Sequence, residues 1–239
     1  MIHLSVNINK IATLRNARGG NNPDVTQAAI NCVRFGAMGI TVHPRPDGRH
    51  IRYQDVLDIS KVISVEFNIE GYPTEDFLTL VESVKPAQVT LVPDPPEALT
   101  SNTGWDSRRH KAFLKTVLVR LKQQGIRTSL FTNPDPEMVE AAAETGTDRI
   151  ELYTEPYAAG YAINKEQAIE PFILSAERAK QCGLGLNAGH DLSLENLSYF
   201  AQLVPGLQEV SIGHALICDA LYMGLEASIQ AYLNCLKTP

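Results

Sequence analysis

Polar and apolar residues alternate along several short stretches of the chain. In Val65–Glu70, Val65, Phe67 and Ile69 fall on one face of a strand and Glu66, Asn68 and Glu70 on the other. The same alternation sets Thr41 and His43 against Ile40 and Val42, Glu151 and Tyr153 against Ile150 and Leu152, and Ser5 and Asn7 against Leu4 and Val6. Short β-rich runs predict strands at Ile2–Asn7, Gly39–His43, Ser64–Glu70, Gln88–Val92, Arg127–Phe131, Arg149–Tyr153, Gly185–Asn187 and Glu209–Ile212. Between them the period lengthens to that of a helix, as at Phe113, Leu114, Val117, Leu118 and Leu121. Asn22-Pro23 and Asp135-Pro136 each set a capping residue before a proline and predict two helix starts.

Eight strand–helix units predict an α/β fold in which a parallel sheet closes into a (β/α)₈ barrel, spanning residues 1–239 as one domain. A doubly wound open sheet is the alternative if the strand count is off by one or two. Helix-to-strand connections are short and marked by glycine, as at Gln124-Gly125-Ile126 and Cys182-Gly183. Strand-to-helix connections are long and chemically rich: Ile8–Asn22, Pro44–Arg52, Pro93–Arg109 and Thr154–Lys165. Barrel sites are built from loops at the C-terminal ends of the strands, so this asymmetry assigns the working end. The apolar strand faces should meet helices, which turns the polar faces inward. They form either a polar cavity near the mouth or a satisfied hydrogen-bond network.

A length of 239 residues suits a single barrel of ~250. The net charge of −6 argues against general nucleic-acid binding and leaves local basic loops to small anions. No apolar run approaches the ~20 residues of a membrane span, and MIHLSVNINK reads as a strand rather than a signal peptide. Cys32, Cys182, Cys218 and Cys235 are widely spaced, which fits reduced thiols in a cytoplasmic protein rather than a zinc site.

Four regions hold the candidate chemistry. His43-Pro44-Arg45-Pro46-Asp47-Gly48-Arg49-His50 sets a guanidinium among imidazoles, which suits a phosphate unless the loop is simply solvated. Asn187-Ala188-Gly189-His190 and Ser211-Ile212-Gly213-His214 end consecutive strands, as either a phosphate site at a helix start or two tight turns. Glu70 and Glu151 lie at strand positions where either can act as base or acid. Lys10, Arg15 and Arg18 add positive charge to the first loop, and Thr100 and Ser101 add hydroxyls to the fourth-strand loop. GxGxxG, GxxxxGK[ST], HxH and HExxH are all absent, so dinucleotide, NTP and metal readings are disfavoured.

End to end, the chain resembles the pyridoxine 5′-phosphate synthase family. The resemblance rests on Val6-Asn7-Ile8, Ile11 through Gly19, Gly39 through His43, Arg45 and Arg49-His50-Ile51. It continues through Asn68-Ile69-Glu70, Leu91-Val92-Pro93, Ile150-Glu151, Asn187 through His190 and Ile212 through Ala215. It implies a cytoplasmic barrel with extra helices, assembled as a homo-octamer (a tetramer of dimers), with no metal or organic cofactor. It also implies two small phosphorylated substrates, 1-deoxy-D-xylulose 5-phosphate and 3-amino-2-oxopropyl phosphate, and no nucleic-acid or membrane partner. By the same resemblance His43 and Glu70 accept protons, His190 donates one and Glu151 supports the transition states. Arg45, His50 and Thr100 would hold the sugar phosphate, and Asn7, Arg18, Gly213 and His214 the amino-ketone phosphate. Two positions depart from the family pattern. Asn9-Lys10 replaces an Asp-His pair that contacts the sugar phosphate, and Asp191 replaces a glycine after the catalytic histidine. Both remain candidate substrate contacts. The rival readings are another phosphosugar aldolase or isomerase on this barrel, and a non-catalytic phosphate-binding regulator.

Overall fold

The computed structural model describes residues 1–94 and 103–237. Eight parallel strands close in chain order: β1 (His3–Asn7), β2 (Gly39–Val42), β3 (Glu66–Gly71), β4 (Gln88–Leu91), β5 (Arg127–Thr132), β6 (Arg149–Leu152), β7 (Gly185–Gly189) and β8 (Leu207–Ile212). Pairing of β8 with β1, with Val210 beside Leu4, closes the barrel and excludes the open sheet. Around it lie α1 (Asn9–Asn16), α2 (Val25–Arg34), α3 (Tyr53–Ile59), α4 (Glu75–Val84), α5 (Lys111–Gln123), α6 (Pro136–Ala143), α7 (Glu155–Gln181), α8 (Leu197–Leu203), α9 (His214–Met223) and α10 (Leu225–Cys235). Among the described residues no helix is long and apolar enough to cross a membrane.

The alternation of the strands decides where the core sits. Leu4, Val6, Ile40, Val42, Ile69, Leu91, Leu130, Ile150, Leu152, Val210 and Ile212 are fully buried between sheet and helices. The opposite faces fill the barrel with polar groups, and both readings of them hold at different depths. At mid-height Ser5 Oγ and Thr41 Oγ1 lie 2.7 Å apart, Asn68 Nδ2 donates to Thr41 Oγ1, and Thr90 Oγ1 donates to Asn68 Oδ1. Below them Arg127 bonds Gln88 and Glu66, and Arg149 donates to Asn187, which donates to Glu209. Above the network the mouth is open.

Glu209 carries a pH dependence of stability. Burial, then the Glu66 carboxylate, push its carboxyl up to about 7 against the opposing pull of Arg149 and Arg127. The folded chain therefore keeps a proton that the unfolded chain releases. That contribution is complete below the ordinary carboxyl range and is lost as pH rises through about 7. Glu209→Gln should abolish the loss, so the variant gains up to about 3 kcal/mol on wild type between acid and alkaline pH. Urea unfolding at the two pH values measures it.

Three local expectations are corrected. The first loop, Ile8–Asn22, contains α1, because Ile8, Ala12 and Arg15 recur at helical spacing and all three are buried. Thr154–Lys165 is mostly helical as well: α7 starts at Glu155 and breaks at Asn164 (φ −156°, ψ 92°). Asn164 Oδ1 then accepts from Gln167 N and caps the second half. Asn22 does not cap α2. Asp24 does, accepting from Gln27 N at 2.9 Å, whereas Asp135 caps α6 as its sequence predicts.

Candidate active site

The C-terminal strand ends converge on one cavity of about 790 Å³, including its opening to solvent. Of the sequence candidates, Asn7, Asn9, Lys10, His43, Arg45, His50, Glu70, Glu151, His190, Gly213 and His214 line it. Asn9 and Lys10 open α1, His214 opens α9, His50 lies in the loop between β2 and α3, and the others sit at or just past strand ends. Asn7 closes β1, His43 follows β2, Glu70 and Glu151 point inward from β3 and β6, and Gly213 precedes α9. Asn9 fastens two of these ends together: its Oδ1 accepts from His43 N and its N donates to Asn7 Oδ1. Lys10 is exposed at the rim.

One side of the mouth is built for an anion. Arg45 is buried and ion-paired to Asp94 at 3.1 Å. His50 Nδ1 accepts from Ile51 N, which leaves the neutral ring's proton on Nε2. Burial, then Arg45, Lys10 and Arg49, hold His50 down at about 4, so the ring is a neutral donor at physiological pH. Arg15 is not an anion ligand. It is 1% exposed, grips Asp55 with both terminal nitrogens and donates to His50 O. Asn16 Nδ2 donates to Gly48 O and His50 O, so α1 clamps the His50 loop.

The other side is built for proton transfer. His43 Nδ1 stands 3.9 Å from Glu70 Oε2, beyond hydrogen-bond reach. Burial, then Arg45 and His50, hold His43 far below the ordinary histidine value, so it is neutral. Burial, then Asp94, push Glu70 up to about 8, with Arg45 opposing. Burial, then Glu70, also raise Glu151, whose Oε2 has no hydrogen-bond partner among the described residues. His190 moves the opposite way from His43. Burial pulls it down, but the bond from Asp191 and the charges of Asp191, Glu151 and Asp94 leave it raised. The mouth thus holds a neutral imidazole, an imidazole whose protonated form is favoured and two carboxyls whose protonated forms burial favours. That is the distribution general acid–base chemistry requires. Among the described residues no group of three His, Cys, Asp or Glu side chains is arranged to hold a metal.

Not every candidate gathers here. Arg18 is exposed beyond the end of α1 and does not line the cavity. Thr100 and Ser101 lie outside the described residues. Asp191 is not part of the lining; its carboxylate lies on His190 Nδ1 at 2.8 Å. Sequence reasoning missed Asp94, Asp55 and Phe131. Asp94, two residues past the last predicted residue of the fourth strand, was open to inference from position alone. Asp55 was not, because only folding brings it to Arg15.

Similarity agrees with this geometry. A family model described as pyridoxal phosphate biosynthesis protein PdxJ matches residues 4–238. The chain belongs to the PdxJ family. A pyridoxine 5′-phosphate synthase from Cytophaga hutchinsonii is 61% identical over 237 residues, 99% of this chain and 100% of the relative. Synthases of the same description from Bacteroides thetaiotaomicron and Porphyromonas gingivalis are 60% and 58% identical, covering 99% and 97% of this chain and 100% and 98% of theirs. Among solved structures, phosphoribosyl anthranilate isomerase from Thermotoga maritima superposes with TM-score 0.63 at 16% identity, over 99% of this chain and 98% of that one. At that identity the likeness speaks for the PdxJ barrel's fold alone.

Proposed function

We infer that this PdxJ-family chain is a pyridoxine 5′-phosphate synthase. It condenses 1-deoxy-D-xylulose 5-phosphate with 3-amino-2-oxopropyl phosphate, giving pyridoxine 5′-phosphate, inorganic phosphate and water. The observation that carries this reading is one mouth in which an anion-binding side and an acid–base side meet, in a chain about 60% identical to named synthases.

Arg45 and the His50 Nε2–H would hold the sugar phosphate, with Lys10 adding charge at the rim. The amides at the start of α9, opened by Gly213 and His214, would hold the amino-ketone phosphate together with Asn7. The amine must lose protons to attack the ketone. Neutral His43 and Glu70 are the acceptors, and an incoming ammonium favours the Glu70 carboxylate over its protonated form. His190 would protonate departing oxygen during dehydration and phosphate elimination. Positive charge on the imine favours the Glu151 carboxylate in the same way, and Glu151, buried beside Glu70, would then stabilise that charge. Each step moves a proton among groups already lining the mouth.

The protein would work in the cytoplasm as a homo-octamer (a tetramer of dimers). Burial of Leu221, Tyr222 and Met223, exposed here at the end of α9, would support such assembly. Incubating the purified chain with both phosphates should yield pyridoxine 5′-phosphate and inorganic phosphate in equal amounts. Turnover of either substrate alone, or binding without turnover, would replace this reading with an aldolase, an isomerase or a regulator.

A further inference from the structure

Asp191 and His190 are adjacent residues whose side chains meet, which an ordinary strand forbids. Successive residues leaving β7 would point to opposite faces. The chain instead enters the left-handed region at His190, with φ +63°. That conformation is unfavourable for a non-glycine residue, and the surroundings enforce it. His190 N donates to Ser211 O, and Asp191 N donates to Gly189 O and Thr154 Oγ1. Asn196 Nδ2 donates to Asp191 O. The residue before the turn has no latitude, because a Cβ at Gly189 would stand 2.2 Å from Ser211 O. Both backbones are thus pinned, and the carboxylate meets the ring at 2.8 Å without the ordering cost that weakens a loose surface pair.

We propose that Asp191 is a positioning residue for the acid step. Its carboxylate accepts a hydrogen bond from His190 Nδ1–H, fixes the ring's orientation and tautomer, and directs Nε2 to substrate. The proposal rests on the synthase reading for what Nε2 protonates, but the dyad itself does not depend on it. A second carboxylate beside a phosphate site would repel substrate if it faced the mouth. Turned onto the imidazole it instead stabilises the protonated ring. The other groups facing His190 are Glu151, Asp94 and, at 6.3 Å between ring centroids, Tyr153, with His43 across the mouth. Asp191 bonds Nδ1 directly. Burial opposes the Glu151 charge, and Glu151 acts on His190 through space.

The test is Asp191→Asn, an isosteric change, with Asp191→Glu as the charge-conserving control. Histidine NMR titration of the whole protein, with His190 assigned from His190→Asn, reads the dyad without reference to catalysis. The His190 midpoint should fall in Asp191→Asn and recover partly in Asp191→Glu. The alkaline limb of kcat/KM should move to lower pH with it, lowering the rate at about pH 8 relative to about pH 6 by several-fold. KM for both substrates should stay near wild type. An unchanged His190 midpoint would overturn the proposal. So would a rise in KM with kcat intact at every pH, which would make Asp191 a substrate contact. If wild type makes no pyridoxine 5′-phosphate, the synthase reading fails, and the titration still decides the dyad.

Discussion

Glu70→Gln should lower turnover by on the order of 10²- to 10⁴-fold, the usual worth of a positioned proton-transfer group. The amide has nearly the same shape and can still meet Asn7, which donates to Glu70 Oε2 at 3.5 Å, but it cannot take a proton. The fold should not suffer. Glu70 titrates near 8 because burial and Asp94 oppose its charge, so wild type loses stability as pH rises through that value. The glutamine variant escapes this loss and should unfold at the same or higher temperature, most visibly above about pH 8. Single-turnover kinetics and a melting curve on the same preparation measure both effects. Full activity in Glu70→Gln would remove Glu70 from the proton path.

Arg15→Met should damage stability and substrate binding together, through one contact. The change removes the cation from the Asp55 carboxylate, whose side chain is 14% exposed and bonded to both Arg15 terminal nitrogens, and leaves it the Arg52 N donor. Removing one partner of such a pair costs about 3 kcal/mol or more, which for a chain of this size is a fall of about 10 °C in Tm. One of the two hydrogen bonds to His50 O goes with it and Asn16 is left to hold the loop, so the Nε2 donor is held less firmly against the sugar phosphate. KM for that substrate should rise about tenfold, while the acid–base groups and kcat change little. Asp55→Asn should show the same pattern more mildly, because an amide can still accept from Arg15. A loss of kcat with KM unchanged would show that the clamp does not act through binding.

These variants mark what was readable from sequence. His43, Glu70 and Glu151 were legible because alternation in a strand is local: an apolar neighbour on each side of Glu151 already points it into the barrel. The mouth could be placed before any coordinates, since glycine-marked short loops and long polar loops separated the two ends. Arg15 counted in the sequence only as positive charge in the first loop, because its burial depends on Asp55, 40 residues away, which no local pattern encodes. α1 was hidden for the same reason, since one position of its buried face is that arginine. Asp191 was a candidate substrate contact in the sequence, but its carboxylate lies on His190 Nδ1. The left-handed turn at His190 redirects it, and a non-glycine residue in that conformation carries no sequence mark.

The central claim is that two phosphates are held together at one mouth with the proton-transfer groups between them. A crystal structure of Glu70→Gln soaked with both substrates tests it most directly. It should show one phosphate on Arg45 and His50, a second at the start of α9 on Gly213 and His214, and the reacting carbons between His43 and His190. A single phosphate in the mouth, or a second one bound on another face of the barrel, would contradict it.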